Sequence, residues 1–196
     1  MKKKIIVSAV VVVYMLLSIF ALASCGSKDL EGFSKAVSAT EPKIVEGAVT
    51  MYTEFGPLTA TYTATIADDG SFVINYAYDK FNQIGTGGSN DVESKVTGSV
   101  TYKDGVYSDA SLTAKIPADA AATKLKLDGD KMKYTVSEDG NVLSATVKAS
   151  KTKSVLGIEY ASDVSFVLTK EDGKIQSLSM TYTLAEGKVE VTASYK

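Results

Sequence analysis

The chain of 196 residues has no histidine, no tryptophan and no arginine, only three prolines and a single cysteine. Without histidine there is no imidazole to serve as general base or metal ligand, and zinc sites built from cysteine and histidine are excluded with it. One cysteine cannot build an internal disulfide framework. All 21 basic residues are lysine, a bias that points to an AT-rich genome and favours a Gram-positive cell. With a formal net charge of −2 and its lysines scattered, the chain lacks the concentrated basic face that nucleic-acid binding needs.

The lone cysteine, Cys25, closes a segment unlike the rest. "MKKK" supplies a positive start, and "IIVSAVVVVYMLLSIFA", from Ile5 to Ala21, carries neither charge nor proline. That is the plan of a secretory signal. A retained membrane-spanning helix is the competing reading, since a span needs about 20 apolar residues. Leu22, Ala23 and Ser24 directly before Cys25 resemble the lipobox of bacterial lipoproteins. The resemblance implies that residues 1–24 are a lipoprotein signal peptide and that Cys25 receives a covalent diacylglycerol, with no other cofactor. Residues 25–27 then form a lipidated tether and 28–196 a single mainly-β domain, held on the extracytoplasmic face of the cell membrane. Two acyl chains matter here, because a single chain gives only marginal, reversible attachment. Removing residues 1–24 moves the formal charge to −5. That balance argues against electrostatic adhesion to anionic headgroups and leaves the acyl anchor as the membrane attachment.

The mature 172 residues suffice for one domain with a core. "SKDLEGFSKAVSATEP" reads as a short amphipathic helix: Leu30, Phe33 and Val37 share one face, and Pro42 ends the pattern. If the helix belongs to the domain, the tether reaches only about 10 Å. From Lys43 onward the period is two. In "LTATYTATI", Leu58, Ala60, Tyr62, Ala64 and Ile66 alternate with four threonines, the pattern of an antiparallel strand dry on one side and wet on the other. The alternation recurs in "FVINYAY", "VTGSVTY", "MKYTV", "LSATVKA", "QSLSMTYTL" and "VEVTASY". Counting "IVEGAVTMYTEF" and the 155–169 region, eight to ten strands are expected. Five Asp-Gly pairs, at Asp69, Asp104, Asp128, Asp139 and Asp172, supply the positive φ angles of tight hairpins, so sequential strands are expected to be neighbours. A second short helix is expected from Pro117, and residues 83–91 form a loop.

Few motifs carry chemistry. Ser150 and Lys153 have the Ser-x-x-Lys spacing, but in a lysine-rich stretch that reads as a solvated connection. "GTGGSN" lacks the Gly-Lys-Ser/Thr ending of a P-loop. "LDGDKMKY" and "IADDGS" lack the alternating oxygen ligands of a calcium loop, so no metal site is expected, and no catalytic residue is assigned. The ten tyrosines of the mature chain fall mainly on apolar strand faces, where core packing and the lining of a ligand cavity require the same side chains.

A helix followed by a long antiparallel meander on a lipidated anchor resembles the LolA/LolB-like lipoprotein carriers. The resemblance implies a curved antiparallel sheet or incomplete β-barrel wrapped against a helix, mainly β with α+β character, and a hollow for acyl chains. The expected function is that of a non-enzymatic envelope lipoprotein binding a lipid or lipoprotein acyl chain, with Phe33, Tyr62, Ile74, Tyr76, Met180 and Tyr182 as candidate ligand contacts. The alternative is a cell-surface adhesion or protein-interaction module that uses its threonine-rich sheet face to meet an envelope protein.

Overall fold

Among the described residues, alternation of apolar and hydroxyl side chains produces ten strands, the longer ones with one dry and one wet face. The computed structural model describes residues 27–54, 56–79, 95–103, 106–108, 125–185 and 187–196. Helix α1 (Ser27–Ala39) leads into β1 (Ile44–Thr53), β2 (Gly56–Ile66), β3 (Phe72–Asp79), β4 (Lys95–Lys103) and β5 (Val106–Tyr107). The second half holds β6 (Met132–Val136), β7 (Val142–Val147), a 3₁₀ turn (Ala149–Lys151), α2 (Thr152–Leu156), β8 (Val164–Glu171), β9 (Lys174–Leu184) and β10 (Gly187–Tyr195). Cys25 and the signal segment, Asp104-Gly105, the loop at 83–91 and the helix expected from Pro117 lie outside the described residues.

The strands form one antiparallel sheet in the order β5-β4-β3-β2-β1-β10-β9-β8-β7-β6. It is open and curved, with β5 and β6 at its two edges. Sequential strands are neighbours within each five-stranded meander, with Asp69-Gly70, Asp139-Gly140 and Asp172-Gly173 at three of the reversals, whereas Asp128-Gly129 turns the chain into β6 without joining neighbouring strands; the two meanders meet through β1 and β10. That seam runs from Val45 opposite Tyr195 to Tyr52 opposite Lys188. The turns explain the local reversals. Asp172 and Gly173 both adopt positive φ, 51° and 74°, the conformation that carries β8 tightly into β9. Asp69 Oδ1 accepts from Ser71 N (2.9 Å) and Asp139 Oδ1 from Asn141 N (3.1 Å), which holds the other two hairpins and lowers both carboxyl pKa values, chiefly through the side-chain bonds from Ser71 and Ser137.

One further difference from expectation stands out. The 155–169 region is not a single strand: Thr152–Leu156 is helical, Gly157 ends it at φ 82°, and β8 starts only at Val164. The pair Val155 and Leu156, apolar like a strand start, is buried as a helical face, and the Lys126 amide donates to the Val155 carbonyl (2.8 Å). Ser150 and Lys153 belong to this helical connection and are both exposed.

Helix α1 covers part of the dry face because Leu30, Phe33, Ala36 and Val37 are all buried at helical spacing. Burying a side chain the size of Phe33 contributes about 1.5–3 kcal/mol. The Lys170 ammonium lies 4.7 Å from the Phe33 ring centroid, a cation–π contact. At the C-terminal end of the helix, Thr40 Oγ1 donates to Ala36 O (2.6 Å) and accepts from Ile175 N (2.8 Å). One buried hydroxyl thus ends the helix and ties it to β9.

The seam depends on a close approach. Tyr62, on β2 opposite Gly47, lays its ring across β1, and its hydroxyl donates to the Thr192 carbonyl on β10 (3.3 Å). A Cβ on Gly47 would overlap the Thr192 carbonyl oxygen and lie 2.6 Å from the Tyr62 hydroxyl. Gly47→Ala is therefore expected to destabilise the fold by roughly 2–3 kcal/mol, read as a lower urea midpoint at unchanged slope.

Candidate functional site

The registers assemble the inward positions into continuous rows. One row runs Gly98, Tyr76, Tyr62, Gly47, Ala193, Leu178, Leu168, Leu143 and Val136 from β4 to β6. The adjacent row runs Val96, Tyr78, Ala60, Val49, Val191, Met180, Phe166, Ala145 and Tyr134. The result is an uninterrupted apolar sheet face, because a period of two in every strand is locked to the same side by the pairing.

The six candidate residues all lie in this layer. Phe33, Tyr62, Ile74, Met180 and Tyr182 are buried in one hydrophobic core, and Tyr76 packs against it half-buried. Tyr62 and Tyr76 are direct cross-strand partners. Phe33 enters from α1 and meets Lys170, while Tyr182 sits edge-on to Tyr160 at 4.8 Å between ring centroids. The structure places five of the six within the packed interior of the apolar layer.

What the pattern missed is a gradient of burial along the strands. At the end of the sheet that holds the β1–β2 and β9–β10 turns and the β7–β8 connection, the face stays closed over β7–β10, where Val147, Val164, Tyr182 and Val189 are buried, and opens towards solvent over β1–β4. Leu58 is 38% exposed and Tyr78 is 41% exposed, with Met51, Ala60, Val96 and Leu184 half-buried around them. At the opposite end Phe72, Ile74 and Val100 are buried. The only available signal was that the apolar alternation of β2 and β3 continues to the last residue of each strand, without a polar substitution at the rim.

The opposite, convex face carries the hydroxyls. Thr61, Thr63, Asn75, Thr97 and Ser99, together with Tyr62, Tyr76, Ala77 and Gly98, line an open depression of about 530 Å³ over β2–β4. Elsewhere, hydroxyls pair across strands, as in Thr50 with Thr59 (3.0 Å) and Thr146 with Ser165 (3.0 Å).

Electrostatically the apolar layer is quiet. Among the described residues no group of three acidic or cysteine side chains could hold a metal ion, and the buried polar residues are Thr40 and Thr152. Both make structural bonds: Thr152 Oγ1 donates to Ala149 O (2.8 Å) and accepts from Tyr160 N (3.0 Å). Burial raises the pKa of Tyr62, raises that of Tyr195, to which neighbouring Tyr62 adds, and pushes Tyr182 up to about 12.

No protein-family model and no curated protein matches the sequence. Among solved structures the chain is similar to LprF from Mycobacterium bovis, at 15% identity and a TM-score of 0.46, covering 88% of this chain and 94% of that one. It is also similar to a putative outer membrane lipoprotein-sorting protein domain from Vibrio parahaemolyticus, at 9% identity and a TM-score of 0.31, covering 86% and 90% of the two chains. A DUF1329 family protein from Desulfovibrio piger covers 86% of this chain and 90% of its own, at 9% identity and a TM-score of 0.30.

The buried tyrosines make stability fall at alkaline pH. Their folded pKa values lie above the ordinary value of 10.0, so above that pH the unfolded chain releases protons that the folded chain retains. Their contribution is complete below about pH 10 and is lost as pH rises through the folded values. Absorbance titration of tyrosinate is expected to show at least these three rings ionising only together with the loss of far-ultraviolet circular dichroism.

Proposed function

We propose that this chain is a membrane-anchored extracytoplasmic lipoprotein, without catalytic activity, that receives an apolar ligand at the open end of its sheet. The ligand class is a lipid or the acyl chain of another lipoprotein. The observation that carries the reading is the apolar row that remains half-open at one end, with Leu58, Tyr78 and Val96 leading into a buried interior. A sheet that served stability alone gains by closing that end, because each exposed apolar rim residue forfeits burial energy. The Leu-Ala-Ser-Cys25 sequence supports the anchor.

The test is native mass spectrometry after incubation with envelope phospholipids. The wild-type protein is expected to carry an adduct of lipid mass, and the double variant Leu58→Glu, Tyr78→Glu to lose at least about tenfold of it while remaining folded, since both positions already face solvent. A charge at Tyr62 or Met180 would instead unfold the core, so those positions do not isolate binding. A wild-type protein that stays bare, or undiminished uptake by the folded variant, defeats the reading.

A second reading, an interaction module working through the convex face, is favoured by the hydroxyl-lined depression over β2–β4. It expects Thr61→Lys with Thr63→Lys to weaken capture of an envelope protein partner in a pull-down while lipid uptake is unchanged. Equal capture by wild type and variant counts against it.

A further inference from the structure

The whole-chain charge is negative, yet its lysines are not evenly placed. The layer over the dry face of β6–β9 consists of α1, the strip of residues 125–131 and α2. The first turn of α1 rests on that strip, for a Cβ on Gly129 would lie 3.4 Å from Leu30 Cδ2. Between α1, the strip and α2 runs a cleft of about 560 Å³, lined by Ser34, Ser38, Lys126, Lys131 and Ser154 among others. Lys148 follows β7, and Lys151 and Lys153 lie on the 3₁₀ turn and α2. All five lysines are exposed.

Among the described residues only Lys131 of these five is ion-paired, to Asp128 at 2.7 Å. The acids of the same corner are Asp128, Asp130, Glu159 and Asp163. Asp163 is engaged by the Ala149 amide (2.9 Å), and Glu31 and Lys35 on α1 pair with each other (2.7 Å). Five lysines against four acids leave the corner one positive charge in excess, within a mature chain of formal charge −5, and Lys126, Lys148, Lys151 and Lys153 keep their ammonium groups outside any ion pair among the described residues. Screening limits electrostatic contact to about 8–10 Å, so the charge that faces a surface decides adhesion, and the sum over the molecule does not.

We infer that this lysine corner docks on anionic phospholipid headgroups and fixes the orientation of the domain on its membrane. The inference rests on the anchor at Cys25 proposed above, and tether length makes it specific. One residue, Gly26, separates Cys25 from the start of α1 at Ser27, and the two Cα steps across it reach about 7 Å. The corner packed against that first turn is consequently the part of the domain held nearest the headgroups. The acyl chains supply attachment, and the lysines select which face turns inward. The connection bearing Lys148, Lys151 and Lys153 lies at the same end of the sheet as Leu58 and Tyr78. Docking this corner turns the open apolar end towards the bilayer.

The experiment is amine-reactive labelling of the full chain purified with its anchor and reconstituted on phosphatidylcholine or phosphatidylglycerol vesicles, read residue by residue by peptide mass spectrometry. Labelling of Lys126, Lys151 and Lys153 is expected to fall about fivefold on phosphatidylglycerol and to recover at high salt. Lys43 and Lys174, at the far end of the sheet, remain unchanged. The exposed triple variant Lys126→Gln, Lys151→Gln, Lys153→Gln is expected to restore the labelling of Lys148. Equal labelling on the two vesicle types overturns the docking. The same spectra report the mass on Cys25, which separates the two readings. Acylation with equal labelling defeats docking alone, protection without acylation supports docking and defeats the anchor, and the absence of both defeats both.

Discussion

The pairing of β1 with β10 holds the molecule together. Each meander is built from local hairpins, but the apolar face becomes continuous only where Val45–Tyr52 meets Lys188–Tyr195. Gly47 permits the approach at the middle of this seam, and Tyr62 spans it to reach the Thr192 carbonyl. The Lys43 and Ile44 amides donating to the Lys196 carbonyl (3.0 and 3.2 Å) extend the pairing beyond the strands. Separating β1 from β10 would leave two small sheets, each with too little apolar area to remain folded on its own.

The second constraint is the unequal cover on the two halves. Over β6–β9 the dry face is capped by α1, residues 125–131 and α2, and the positions beneath, Leu143, Val147, Phe166 and Leu168, are buried. Across the seam, β2 and β3 present Leu58 and Tyr78 to solvent at one end. Packing strength is thus concentrated where α1 ties to β9 through Thr40 and declines towards the rim. Regions with fewer buried contacts open at lower free energy. An apolar guest would enter where opening costs least, without disturbing the half that keeps the fold intact.

The strands were legible in the sequence because each has one dry face, so that Tyr62, Ile74, Met180 and Tyr182 identified themselves by alternation alone. Helix α1 was legible for the analogous reason at helical period, through Leu30, Phe33 and Val37. Helix α2 was not, since five residues give no periodicity and Val155-Leu156 resembles the opening of a strand. The seam was hidden because residues nearly 150 positions apart in sequence leave no local mark of their pairing. The open rim was hidden because Leu58 and Leu178 are the same letter in the same pattern, yet one is exposed and the other buried. Net charge likewise concealed the lysine corner, which exists only once α2 and the strip of residues 125–131 are brought together in space.

The central position of β10 also sets an order of events during synthesis. Of these ten strands, the one made after the other nine must fill the middle of the sheet, so a growing chain that already contains β1–β9 presents an unpaired β1 edge and an incomplete dry face. Unpaired strand edges and exposed apolar surface are the common routes to aggregation. Such a chain depends on being shielded until β10 emerges, and a nascent product missing only its final strand forfeits the whole sheet rather than its border.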